Sequence, residues 1–184
     1  MTAEARTPLE ELPGEVMMWV LIVSELLVFG AGLAAFLGVR IADPAGFAAA
    51  QDTLHRTAAG VNTLVLVTSG YLAARATLWA GDLRHGRSAL ALVTAAALGV
   101  AFVVLKALEF RDLAMQGIGT ETHAFYTFYF LLTGFHAAHV VAGVLILLLV
   151  AVWNSHRNVE VAGSFWHMVD LVWVLLFPVI YLLR

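Results

Sequence analysis

Read as a string of apolar and polar positions, the chain is five long apolar runs separated by short polar stretches. The runs cover about residues 15–39, 58–80, 88–110, 125–153 and 165–183. Each is close to or longer than the roughly 20 residues a helix needs to cross a ~30 Å hydrocarbon core. Pro13-Gly14 precedes the first run as a helix start, and Arg40 with IADPAG closes it. The later runs are parted by a stretch with Asp52, His55 and Arg56, then by GDLRHGR, RDLAMQGIGTETH and NSHRNVEVAG. In hydrocarbon every backbone polar group must be bonded within the protein, and a few isolated segments cannot close a barrel, so the runs predict helices. Short connections make consecutive helices antiparallel neighbours. The expected fold is an all-α integral membrane bundle of five transmembrane helices, one domain over residues 1–184, with no soluble catalytic domain.

Composition agrees. The chain is 61% hydrophobic and 12% charged, with mean hydropathy +0.89, against about half apolar and a quarter charged in a soluble domain. The absence of cysteine excludes disulfides, iron–sulfur clusters, thiolate metal sites and c-type haem attachment. A net charge of −3 with no basic run argues against nucleic acid. The first residues are acidic (Glu4, Glu10, Glu11) and lack the basic start of a secretory signal, so the first span is expected to be kept. Arginines divide almost evenly: Arg6, Arg84, Arg87 and Arg157 on one side, Arg40, Arg56, Arg111 and Arg184 on the other. The densest basic loop, Leu83–Arg87, favours a cytoplasmic N-terminus and a periplasmic C-terminus in a bacterial inner membrane.

The candidate chemistry lies in the few polar residues within the spans. Glu25 sits roughly 15 Å into the first span at 1.5 Å per residue. A charge there costs about 3 kcal/mol even on the lenient insertion scale. It is either a proton-active or gating carboxyl, or a neutral acid hydrogen-bonded to a neighbouring helix. His136 and His139 share a face of the fourth span at i, i+3, and His167 and Asp170 repeat that spacing in the fifth. Imidazoles so placed read as metal or haem ligands, or as interhelical hydrogen bonds. No Glu-x-x-His pair of the di-iron type is present. Lys106 and Glu109 form an i, i+3 pair that neutralises itself or snorkels. Asn62, Thr63, Thr68 and Ser69 give the second span a polar edge. Small residues recur every fourth position in Gly30, Ala34, Gly38 and in Gly134, Ala138, Ala142, which lets helices approach closely within the chain or against a partner.

These same segments resemble subunit III of the haem–copper oxidases in its five-helix form. PGEVMMWVLIVSELLVFGAGLAAF is similar to that family's first helix, VNTLVLVTSGYLAARA to its second and LGVAFVVLKALEF to its third. FYFLLTGFHAAHVVAG carries a His-x-x-His helix through His136 and His139. FWHMVDLVWVLLFPVIYLL carries the closing Trp-His-x-x-Asp-x-x-Trp helix through Trp166, His167, Asp170 and Trp173. The PGE-x-x-MW opening and the VDLVWVLLFPVIYLLR ending resemble the branch encoded with bacterial nitric oxide reductases. The resemblance implies a non-catalytic structural or modulatory subunit or assembly factor, with no cofactor of its own. Haem and copper or iron would lie in a catalytic partner subunit, phospholipid would bind in a cleft, and Glu25 would match the family's membrane carboxyl. The expected complex is a nitric oxide reductase of denitrification. Alternatives are subunit III of a terminal cytochrome c or quinol oxidase supporting proton uptake, and a small haem-binding redox protein.

Overall fold

A computed structural model describes residues 16–183. Pro13, Gly14, Glu15, the acidic residues before them, Arg6 and Arg184 fall outside the described residues. The helices are α1 (Val16–Ala42), α2 (Pro44–Gln51), α3 (Arg56–Gly81), α4 (His85–Met115), α5 (Ala124–Val152) and α6 (His156–Phe177). All but α2 are long and apolar enough to cross a membrane, and no strand occurs among the described residues. The helix α6 continues as a π-helical turn, Pro178–Leu182, in which Leu183 N–H donates to Pro178 O at 2.8 Å. Proline disrupts the bonding of the preceding helix, and the wider turn takes up the change.

Two elements depart from the apolar pattern. The fifth span was expected from residue 165 but starts at His156. Its first two turns are polar outside and buried inside at Val159, Ala162 and Gly163, so hydropathy alone hides them. Ser155 caps it, accepting from Asn158 N–H at 3.3 Å. The stretch expected to close the first span instead holds α2. Asp43 is its N-cap, accepting from Gly46 N–H at 3.0 Å with Pro44 in the first turn. That bond, and His123 Nε2 at 3.0 Å, hold the Asp43 carboxyl below the usual range. His123 also caps α5, its Nδ1 accepting from Phe125 N–H at 3.1 Å, so one imidazole ties α2 to α5.

The helices α3, α4, α5 and α6 adjoin in a ring, and α1 lies outside it against α5 and α6. Glycines set the seams. A Cβ on Gly99 of α4 or on Gly143 of α5 would stand 2.6 Å from the Trp166 ring. Trp166 Nε1 donates to Ser69 Oγ at 3.1 Å, and Ser69 Oγ donates to Ala95 O at 2.7 Å. One tryptophan of α6 therefore registers α3, α4 and α5 together. The small-residue ridges of the sequence lie elsewhere. Gly30, Ala34 and Gly38 are exposed, with nothing within 4 Å of a Cβ on either glycine. Ala138 and Ala142 are also exposed.

Candidate functional site

Lys106 is 1% exposed, about 14 Å before the end of α4. It does not snorkel. Its ammonium donates to Glu109 Oε2 at 2.8 Å and to Tyr181 OH at 2.6 Å, and Tyr181 donates to Glu109 Oε1 at 2.9 Å. Ring faces surround the cation: Trp173 at 4.8 Å, Tyr181 at 5.1 Å, Tyr129 at 5.3 Å and Phe110 at 5.9 Å from Nζ to centroid. A desolvated ammonium is stable only when paired and bonded, and this cage does both. Asn62 of α3 points into the same part of the bundle, donating to Phe102 O of α4 at 3.3 Å.

The two histidines of α5 diverge. His136 is fully buried between the rings of Phe102 (5.5 Å) and Trp173 (5.1 Å), and its Nε2 lies 3.2 Å from Val169 O of α6. A carbonyl only accepts, so Nε2 carries a proton. His139 turns toward α1. Its Nδ1 lies 2.9 Å from Phe135 O, and its Nε2 3.3 Å from Glu25 Oε2. This contact sets the carboxyl of α1 against the imidazole of α5 and ties α1 to the ring of helices.

On α6, Asp170 packs on α3 where Gly70 leaves room: a Cβ there would clash with Asp170 Oδ2. Its Oδ1 is buried without a hydrogen-bond partner. His167 is exposed and makes no hydrogen bond among the described residues. Of the residues expected in a polar network, Lys106 and Glu109 meet directly, Asn62 and His136 bond to other helices, and His139 bonds within α5 and contacts Glu25 of α1. His167 stands apart and faces outward. Each imidazole goes its own way, and among the described residues no three His, Asp or Glu side chains converge as ligands.

Tyr181 and Tyr129 were not singled out in the sequence. Tyr181 follows Trp166 and Trp173 at spacings of seven and eight, an inward aromatic stripe that the sequence does carry. Gln51, buried and donating to Ile180 O at 2.7 Å, had no such signal because α2 itself was hidden.

Comparison with known proteins agrees with this arrangement. The family model for cytochrome c oxidase subunit III matches residues 14–184. Subunit 3 of the cytochrome c oxidase of Synechocystis sp. is 30% identical over 172 residues, covering 88% of this chain and 72% of that protein. Subunit 3 of the cytochrome bo(3) ubiquinol oxidase of Pseudomonas aeruginosa is 28% identical over 173 residues, 90% of this chain and 82% of that one. The haem–copper oxidase subunit I+III of Aeropyrum pernix is 30% identical over 200 residues, which cover 94% of this chain but 24% of that protein. With its tryptophan-registered ring of helices and a match over nearly its whole length, this multi-pass membrane chain belongs to the cytochrome c oxidase subunit III family.

Proposed function

We propose that the chain is a non-catalytic accessory subunit of a haem–copper superfamily complex in a bacterial inner membrane. The haem and metal would be held by a partner subunit, with phospholipid between the two. The observation that carries this reading is the match to a protein named as subunits I and III in one chain, of which this chain covers only the smaller part. The interior supports it: Lys106, Glu109 and Tyr181 satisfy one another, and Trp166 and Trp173 fill the space between helices.

The finer reading is a nitric oxide reductase of denitrification, resting on Pro13-Gly14-Glu15 and the ending from Val169 to Arg184. A terminal oxidase is favoured instead by the relatives named cytochrome c and quinol oxidase subunits. One experiment separates them. The tagged chain is purified in mild detergent from cells grown aerobically and from cells respiring nitrate, and partners are read by mass spectrometry and visible spectrum. Nitric oxide reductase subunits with a haem spectrum in the nitrate-grown sample are expected. Oxidase subunits in both samples would replace that reading with the second. Recovery of the chain alone in both would sink the accessory role.

A further inference from the structure

In hydrocarbon a polar group on the outside of a helix finds no water to bond, so its position reports where another protein must lie. The outer faces of α1, α4 and α5 carry aliphatic side chains at depth: Val20, Val23 and Leu27 on α1, Val100 and Val104 on α4, Val141 and Leu145 on α5. The side where α3 meets α6 differs. There the exposed His167 lies about 17 Å into α6, its Nδ1 3.7 Å from where a Cβ on Gly70 would stand. On α3, Tyr71 follows Gly70 and is 62% exposed, about 22 Å from the start of the helix. Neither side chain makes a hydrogen bond among the described residues. One turn further on, half-buried Arg75 lies over the Trp79 ring at 4.9 Å. Three groups able to donate (imidazole N–H, phenol O–H, guanidinium) therefore face outward along the half of one seam nearer the α3–α4 connection. The helix that carries two of them, α3, is the least apolar of the five spans.

We propose that the α3–α6 seam around His167 and Tyr71 is a docking face for a transmembrane helix of the partner subunit. That helix would present acceptors at mid-depth: carboxylate, hydroxyl or freed carbonyl oxygens. The charge argues for the chemistry: the exposed imidazole and phenol can each donate, the Arg75 guanidinium beside them can only donate, and the unpartnered acceptor of the seam, Asp170 Oδ1, is buried within the chain. The flanking surface at Val67 and Leu171, each 47% exposed, supplies the apolar contact on either side. The proposal rests on the accessory-subunit reading and says which face that subunit uses.

The test is photo-crosslinking in native membranes containing the whole complex. A photoreactive phenylalanine analogue is placed at Val67 or Leu171 on the proposed face, at Leu145 on the outer face of α5, and beside the exposed ridge of α1 at Leu27. Crosslinks to a haem-bearing subunit from Val67 and Leu171, with only lipid adducts from Leu145 and Leu27, are expected. A crosslink to that subunit from Leu27 or Leu145 alone would overturn the docking face and leave the accessory reading standing. Crosslinks between two copies of this chain from Val67 or Leu171 would also overturn it, as the occupant would be a second copy. No haem-bearing subunit at any position would defeat the accessory reading itself. As a second measurement, His167→Leu should lower the partner recovered with the tagged chain about 3- to 30-fold, the range of one interhelical hydrogen bond. His167→Gln should restore much of it. Because His167 is exposed and unbonded within the chain, the melting temperature of the isolated variant should match the parent. A lowered melting temperature, or full partner recovery with leucine, would count against the proposal.

Discussion

At the residue scale, the arrangement around Lys106 decides how the bundle tolerates a buried charge. The ammonium is held by Glu109 and Tyr181 inside an aromatic cage, and its side chain is 2% exposed against 15% for Glu109. Removing the cation alone strands a carboxylate, whereas removing both charges leaves only the neutral Tyr181 hydroxyl without its partners. Lys106→Met should therefore destabilise the chain by about 3–5 kcal/mol, and Lys106→Met with Glu109→Leu should recover most of that loss. Thermal unfolding of the three proteins in one detergent checks it. A double variant as unstable as the single one would show that the cage depends on the charge pair itself. The pair was legible in sequence as i, i+3, but its third member was not. Tyr181 lies in the π-helical turn that begins at Pro178, beyond the regular part of α6, and its side chain reaches the pair on α4 from there. The divergence of His136 and His139 was equally hidden, because an i, i+3 spacing gives a common side of a helix without saying that two different helices border it.

At the element scale, the spans were legible wherever both faces are apolar. The middle three come out within a few residues of the hydropathy runs, apart from the longer end of α4 at Met115. Where a helix end is polar outside, as in the first turns of α6, hydropathy fails and capping decides. The same holds for α2, where the Asp43 cap and Pro44 start a helix inside the stretch expected to close the first span. Seams were harder. The small-residue ridges visible in sequence face outward, while Gly32, Gly70, Gly99 and Gly143 make the close contacts, because closeness depends on the large residue opposite. Gly32 receives Leu132, Gly70 receives Asp170, and Gly99 and Gly143 receive Trp166. This separates two substitutions that look alike in sequence. Gly99→Ala places a methyl 2.6 Å from a buried indole and should cost about 1–3 kcal/mol. Gly30→Ala meets nothing within 4 Å and should be neutral or slightly stabilising through helix propensity. Melting temperatures of the two variants in the same micelle should split accordingly, and equal values would mean the Trp166 seam is looser than its geometry.

At the scale of the whole molecule, five antiparallel spans put the α3–α4 and α5–α6 connections at one end and the α1–α3 and α4–α5 connections at the other. The end that carries Arg84 and Arg87 has the denser basic loop, which predicts that it faces the cytoplasm. The opposite end carries Asp43, Asp52, Asp112 and Glu121 with Arg40, Arg56 and Arg111, and has ion pairs between Arg56 and Asp52 and between Arg111 and Asp112. Because the chain has no cysteine, single thiols can report it directly. Gly86 is exposed with open space where a Cβ would stand, and Glu121 is exposed at the other end. In spheroplasts treated with a membrane-impermeant maleimide, Glu121→Cys should label at once and Gly86→Cys only after the membrane is permeabilised. The reverse pattern would invert the axis while keeping the five spans. Labelling of both from outside would require an even number of crossings between them, which contradicts α4 as a span and with it the ring on which the Lys106 cage and the proposed docking face depend.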